Sequence, residues 1–253
     1  MMEMFFALDL YFVLILSIHM SVWCASRMIS KRIPDFSKVM PHRIHISLYV
    51  RLSKCMHLAT GAALLYAFFL MLTAGSRKPS SSRSATLLYL ASFATHFGTQ
   101  IWMTLISGIV LFFNLPRKIF GMVQRHLFPK YFLLNSVLGF LTLWIFVLQN
   151  PEAIAQRWNL ALCFLCDLSG MIYIVPDMIK TMTERGKIEE EAGVGQDVVG
   201  RFKPGEALRS CPKYSHLHSR FRRFHGLCAL VNMLAMACNT IHLYHLACKL
   251  IDR

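Results

Sequence analysis

The residues of this sequence that could bind a ligand or exchange a proton are ionisable and amide side chains within apolar stretches. Asp167 lies in the middle of an apolar stretch over 158–176. An ionisable group near the middle of a bilayer costs about 2.5–3.5 kcal/mol on insertion scales, so it requires a partner. Asp167 is therefore either a proton or cation ligand, or a structural group that is protonated or hydrogen-bonded. The sequence offers four partners for such a bond, namely His96, Gln100, Asn232 and Asn239.

Two other apolar stretches carry polar side chains at helical spacing. His96, Gln100 and Thr104 fall on one face of a helix, and so do Asn232 and Asn239. Together with Asp167, these faces could line a polar pathway for a small substrate. Alternatively, they hold neighbouring helices together through hydrogen bonds and close approach.

A third pattern contains residue types that bind metals. Cys238, His242 and His245 lie four and three residues apart, so they share a helix face. Thiolate and imidazole ligands suit copper or zinc, but one helix cannot complete a tetrahedral site alone. We therefore predict no bound metal or other cofactor, and these three residues are the candidate ligands of the alternative.

No catalytic constellation is recognisable in the sequence. The histidine pairs His42/His45, His216/His218 and His242/His245 lack the repeated boxes of histidine-rich membrane hydroxylases and desaturases. Nucleotide-binding and zinc-protease signatures are also missing from the sequence. We predict that the protein is not an enzyme.

The elements that position these residues follow from composition. Of the 253 residues, 55% are hydrophobic and 16% charged, with a net charge of +14 and a mean hydropathy of +0.47. This balance argues against a soluble enzyme, a disordered chain and a basic nucleic-acid-binding domain. A bilayer core about 30 Å thick needs roughly 20 apolar residues per helix. We predict an all-α integral membrane fold with six transmembrane helices, approximately at 4–24, 56–75, 86–113, 131–149, 158–176 and 227–248.

The basic residues predict the orientation of the chain. Of the 27 Lys and Arg residues, 21 lie in three alternate loops, 25–55, 114–130 and 177–226. The positive-inside rule makes these loops cytosolic and places both termini in the lumen or outside the cell. Arg220, Arg222 and Arg223 precede the last span, where they bind anionic lipid headgroups or only fix orientation. The predicted partners are therefore the bilayer and its anionic headgroups, with no nucleic acid.

A Ser-rich joint at 76–85 divides the predicted helices into two groups. Residues 1–80 form a two-helix N-terminal unit with a basic cytosolic loop, and 81–253 form a four-helix unit with the cytosolic loop 177–226. Between the third and fourth spans, apolar and basic residues separate onto two faces from Pro116 to Pro129. We predict a short amphipathic helix in the membrane interface there, starting at Pro116 and stopping at Pro129. The alternative is a structural elbow.

The segment that contains this helix and a later segment before the last span resemble the transmembrane protein 205 family. The similarity covers about 85–250 and lies mainly in two blocks. The matching residues include Trp102, Pro116, Arg117, Phe120, Gly121, Gln124 and Pro129 in the first block, and Lys213, Tyr214, His225 and Gly226 in the second.

The resemblance implies a four-helix, multi-pass membrane protein of the endomembrane and secretory system, from a poorly characterised family linked to platinum-drug resistance. It implies a non-catalytic, transporter-like or accessory membrane subunit with a possible membrane protein partner. A membrane metal- or haem-binding protein of copper-handling type, using His96 or the Cys238 face, is the alternative. This sequence departs from the family in its two-helix N-terminal extension and in Val175 and Cys211, which stand where acidic residues are expected.

Overall fold

The computed structural model describes residues 61, 62, 64–69, 71–73 and 82–252. The chain divides into two compact units, Met1–Thr73 and Ala74–Arg253. In the first unit, the described residues form a short apolar helix, Leu64–Thr73. The predicted span over 4–24 lies outside the described residues.

Four long helices form the second unit, and each is long and apolar enough to cross a membrane. The described residues contain no strand, so the all-helical class is confirmed for them. The predicted spans from 86–113 onward each lie within one of these helices, whereas a count of six spans is not confirmed. The helices are α1 (Arg83–Asn114), α2 (Arg117–Gln149), α3 (Ile154–Glu191) and α4 (Pro212–Ile251).

The separate amphipathic helix ending at Pro129 is not confirmed, because α2 runs without a break from Arg117 through Pro129 to Gln149. A proline inside a helix removes one backbone hydrogen bond, which costs about 3 kcal/mol. Packing on both sides of Pro129 opposes this cost, since Tyr131 and Phe132 belong to one buried hydrophobic cluster and Phe128 packs against it. The tertiary contacts therefore keep helical a residue that local rules mark as a stop.

Helix α2 is the centre of the bundle. Within an apolar 18-residue stretch of α2, 67% of the residues are buried, against 11% in the corresponding stretch of α1. Helix α3 packs against both α2 and α4, and α1 packs mainly against α2. Large apolar side chains remain exposed on the outside, as at Leu87, Trp158 and Tyr244. An exposed apolar belt of this kind is typical of a surface that meets lipid.

Glycines end α3 and shape the segment that follows. Gly193 adopts a φ of +64° directly after α3, a conformation that glycine adopts without the steric cost of a Cβ atom. The run Gly193-Val194-Gly195 in the sequence predicts a helical stop at this point, and the structure confirms it. Farther on, the backbone carbonyls of Val198 and Gln196 accept from the amides of Arg117 and Lys118, at 2.9 and 3.1 Å. The connection between α3 and α4 therefore satisfies the first amides of α2.

Two π-helical turns interrupt the regular α-helix, one in α1 at Trp102–Ser107 and one in α3 at Gly170–Ile174. Gly170 starts the second turn, where a Cβ atom would lie 2.4 Å from the ring of Phe132. Only glycine allows this approach of α3 to α2. Turns of this type occur frequently at functional sites.

Candidate functional site

A buried polar cluster lies at the centre of the four-helix unit. The imidazole Nε2 of His96 lies 2.8 Å from Oδ2 of Asp167, joining α1 to α3. Gln100 lies one turn along α1, with its amide nitrogen 3.2 Å from the same imidazole nitrogen. Asn239 on α4 donates to the Gln100 carbonyl oxygen at 2.8 Å. These four side chains, which we name the central polar cluster, are at most 1% exposed.

The structure thus brings together four of the five intramembrane residues selected from the sequence. Their assembly follows from helical spacing, because His96 and Gln100 are one turn apart and face inward together. Gly139 of α2 makes room for the imidazole, since a Cβ atom there would lie 3.3 Å from the His96 ring. The sequence patterns gave no indication of this glycine's role.

The central polar cluster is incompletely hydrogen-bonded. Among the described residues, neither Asp167 Oδ1 nor Asn239 Oδ1 has a hydrogen-bond partner. A buried polar atom without a partner is costly, so these atoms are ready acceptors for a proton donor or a cation. The cluster can therefore bind a ligand as well as join helices.

Asn232, the fifth predicted residue, takes part in a separate polar chain. The hydroxyl of Tyr131 donates to Asn232 Oδ1 at 2.6 Å, and Asn232 Nδ2 donates to Thr104 Oγ1 at 2.7 Å. This chain connects α2, α4 and α1. Sequence reasoning missed Tyr131, although a tyrosine at the start of an apolar run is a recognisable signal.

One group of potential metal ligands occurs among the described residues. His96, Cys163 and Asp167 are all buried, and one ligand atom from each lies within 4.8 Å of the others. Cys163 lies close to His96 and Asp167 of the central polar cluster because it precedes Asp167 by one turn of α3. Its thiol donates to the carbonyl of Ala235 at 3.4 Å.

The candidate metal face on α4 does not gather into such a group. His242 is buried between the Tyr89 hydroxyl and the Gln156 side chain, to which its two ring nitrogens are hydrogen-bonded. Cys238 instead lies in an apolar cluster with Cys163 and Cys166. Because a helix face spreads its residues along about 10 Å, the partners on neighbouring helices decide which side chains meet.

A second polar site lies beyond the apolar windows, toward the ends of α3 and α4 that the charge pattern predicts to be cytosolic. Glu189 Oε1 accepts from Arg117 and from the Tyr214 hydroxyl, each at 2.8 Å. The Arg185 guanidinium lies 3.4 Å from the same oxygen. We name these four residues the Glu189 network, in which one carboxylate pairs with two guanidinium groups.

Burial changes the acid–base properties of the Glu189 network. Burial, together with the hydrogen bond to Glu189, raises the pKa of Tyr214 to about 12. Burial also lowers the pKa of Arg185, against the opposing attraction of Glu189. By contrast, the next residue, Glu190, is exposed and pairs with Lys118 at 2.7 Å, which lowers the pKa of its carboxyl.

A cavity of about 760 Å³ extends from the Glu189 network into the bundle. Its walls come from all four helices and from the segment between α3 and α4. Six of the eleven family-motif residues selected from the sequence border this cavity. The other five do not, and they are Trp102, Pro116, Pro129, Lys213 and Gly226. The motif residues on its walls are Arg117, Phe120, Gly121, Gln124, Tyr214 and His225.

The basic residues expected to meet lipid headgroups lie on the surface of α4. Arg220, Arg222 and Arg223 are all exposed. Arg220 also lies 3.7 Å from Asp177 of α3. Their exposure leaves them accessible, and their headgroup binding stays a prediction.

Comparisons with known proteins agree with the resemblance found in the sequence. Residues 91–187 match a domain of unknown function, DUF4149. The chain is 29% identical to Transmembrane protein 205 of Danio rerio over 175 residues, which covers 65% of this chain and 92% of that protein. No solved structure matches the chain. The predicted resemblance is confirmed, and it supports a membrane protein.

Proposed function

Since the chain is similar to transmembrane protein 205, we propose that it is a non-catalytic, multi-pass, transporter-like protein of the endomembrane and secretory system. The central polar cluster is the observation that carries this proposal. It places a carboxylate, an imidazole and two amides between apolar helices, with acceptor atoms at Asp167 and Asn239 still available.

The energetics favour a functional role for Asp167. Ionisable residues within spans are costly and commonly mark ion or substrate pathways and proton relays. A purely structural contact would be expected to use both carboxylate oxygens, whereas only one oxygen of Asp167 has a partner. Uptake or release of a proton by the Asp167–His96 pair would change the net charge of the site as a solute enters.

A transport assay tests this proposal. Purified protein is reconstituted in vesicles loaded with cisplatin, the probe suggested by the family's link to platinum drugs, and the retained platinum is measured over time. We expect efflux from vesicles with the unmodified protein and its loss with Asp167→Asn. Asp177→Asn is the matched control, because Asp177 lies on the same helix but is only about half buried.

The two forms of the proposal give different results. Efflux that Asp167→Asn abolishes and Asp177→Asn preserves supports a transporter. Absence of efflux, together with a stoichiometric membrane protein that co-purifies with the chain, supports an accessory subunit instead. Equal efflux from both variants would refute a role of the central polar cluster in transport.

Metal binding is the second candidate function, and the grouping of His96, Cys163 and Asp167 specifically favours it. Nitrogen, sulfur and carboxylate ligands together suit zinc or copper. Elemental analysis of the purified protein tests this function. About one metal atom per chain, lost in Cys163→Ser and retained in Cys166→Ser, would support it. Less than a tenth of an atom per chain would exclude it.

A further inference from the structure

The cavity beside the Glu189 network has an excess of buried positive charge. Arg117 and Arg185 share the single carboxylate of Glu189, which balances only one of them. More widely, the cavity walls carry six basic side chains and two acidic ones. The basic residues are Arg117, Lys118, Arg125, Arg185, Lys187 and Arg201, and the acidic ones are Glu189 and Glu190.

Polar atoms at this end of the cavity are incompletely hydrogen-bonded. Among the described residues, Arg117 Nη1 and His218 Nδ1 are buried without a hydrogen bond, and Arg185 Nε makes only the 3.4 Å ion pair with Glu189. Arg185 itself is only 9% exposed. Guanidinium groups bind phosphate through paired N–H donors, so these atoms suit a tetrahedral oxyanion.

Aromatic rings hold both guanidinium groups in place. The Arg117 guanidinium lies 4.7 Å from the centre of the Phe202 ring, and that of Arg185 lies 4.2 Å from the centre of the Phe221 ring. Stacking on a ring leaves the edge of the guanidinium, which carries its N–H donors, available. Side chains therefore supply the donors, since the first amides of α2 are already bonded to Gln196 and Val198.

The remainder of the cavity is unsuited to a free anion. Away from the guanidinium groups, its walls include Phe112, Phe120, Leu127 and Phe128, and it reaches Asn232 within the bundle. A phosphate ion occupies the space of only a few water molecules, each about 30 Å³ in the liquid. Most of the 760 Å³ would then be left to water against apolar walls.

We propose that this cavity binds a lipid with a phosphate monoester headgroup, which lies at Arg117 and Arg185 while its acyl chain follows the apolar walls. A free phosphate shares the headgroup chemistry, but only the lipid uses both parts of the cavity. This site is separate from the exposed arginines of α4 and does not depend on the proposed transport function.

Native mass spectrometry of the full chain in mild detergent tests the proposal. The three probes are lysophosphatidic acid, lysophosphatidylcholine with the same acyl chain, and inorganic phosphate. We expect saturable, one-to-one binding of lysophosphatidic acid, at least about tenfold tighter than that of either other probe. For lysophosphatidylcholine, this ratio is the fold-change expected from losing one charge-assisted hydrogen bond. For inorganic phosphate, the weaker binding follows from the loss of the acyl chain that would be buried against the apolar walls.

Matched variants locate the binding site. Arg185→Gln should weaken binding of lysophosphatidic acid by about tenfold or more, whereas Arg222→Gln, on the exposed face of α4, should leave it unchanged. Arg185→Lys keeps the charge beside Glu189 but loses the forked donors, so it should fold and still bind more weakly. Asp167→Asn should bind normally, which separates this test from the transport assay.

Several results would overturn the proposal. Equal binding of the phosphatidylcholine analogue would show that the cavity does not select the anionic headgroup. Equally tight binding of inorganic phosphate would exclude the lipid chain, and an equal loss in Arg222→Gln would place binding on the outer surface. Unchanged binding in folded Arg185→Lys and Arg185→Gln would remove the proposed headgroup site.

Discussion

Glu189 and Glu190 provide an internal comparison of a buried and an exposed carboxylate. Both side chains pair with the first residues of α2, Glu189 with Arg117 and Glu190 with Lys118. The side chain of Glu189 is 5% exposed, whereas that of Glu190 is 60% exposed. We predict that Glu189→Gln destabilises the protein strongly and that Glu190→Gln does not.

The magnitude follows from what each substitution leaves behind. Glu189→Gln keeps an oxygen acceptor but removes the carboxylate that, within the part of the chain that the structure describes, is the only one paired with Arg117 and Arg185. Removing one partner of a buried ion pair costs about 3–5 kcal/mol. Because the Arg117 side chain is 18% exposed, we take the lower end, about 3 kcal/mol.

Thermal unfolding in detergent measures the difference. For a domain of this size, about 3 kcal/mol lowers Tm by roughly 6–12 °C. The Tm of Glu190→Gln should equal that of the unmodified protein within error, since water solvates both of its exposed partners. The double variant Arg117→Gln/Glu189→Gln should lose less than the sum of the two single losses, because the pair is removed together.

Two results would refute this reasoning. Equal Tm values for Glu189→Gln and Glu190→Gln would show that burial does not control the contribution of these carboxylates. Additive losses in the double variant would show that Arg117 and Glu189 do not interact, despite their 2.8 Å separation.

Three further predictions concern packing, ionisation and topology. Gly170→Ala should lower the free energy of unfolding by about 1–3 kcal/mol, because the new Cβ atom overpacks against Phe132, and this loss is measured as a fall in Tm. Gly98→Ala is the control, and it should be neutral or slightly stabilising because its Cβ position faces open space. Tyr214 stabilises the fold below its unfolded pKa of 10.0 and loses this contribution as pH rises toward its folded pKa of about 12; unfolding titrations should therefore show a smaller alkaline loss in Tyr214→Phe, and an identical loss would contradict the raised pKa. The charge distribution predicts that both termini lie in the lumen, so glycosylation sequons fused to either terminus should be modified in microsomes. Modification of only one terminus would exclude that topology.

Much of the fold was predictable because it depends on local sequence. Bilayer thickness and helical rise together require about 20 apolar residues per span, so hydropathy locates the helices without tertiary information. The end of α3 at Gly193 was predictable for the same reason, since a positive φ is a local property. The span count and the separate amphipathic helix were not confirmed, since four long helices occur among the described residues and one of them runs through Pro129.

The polar sites were predictable only in part. The sequence indicated that Asp167 required a partner and named four candidates, and spacing placed His96 and Gln100 on one face. The choice of His96 depends on how α1 and α3 meet, which helical periodicity alone does not determine. Tyr131 meets Asn232 through packing of the same kind, whereas Cys163 lies beside Asp167 because the two residues are one helical turn apart.

The sequence by itself determined the helices, their inward polar faces and their resemblance to a known family, because these properties are local or directly written in the residue order. Tertiary structure alone decided that Pro129 remains helical, that Arg117 meets Glu189 72 residues away, and that a basic cavity forms. The physical reason is that contacts between distant residues depend on the packing of whole helices, and this packing outweighs local preferences wherever enough surface is buried.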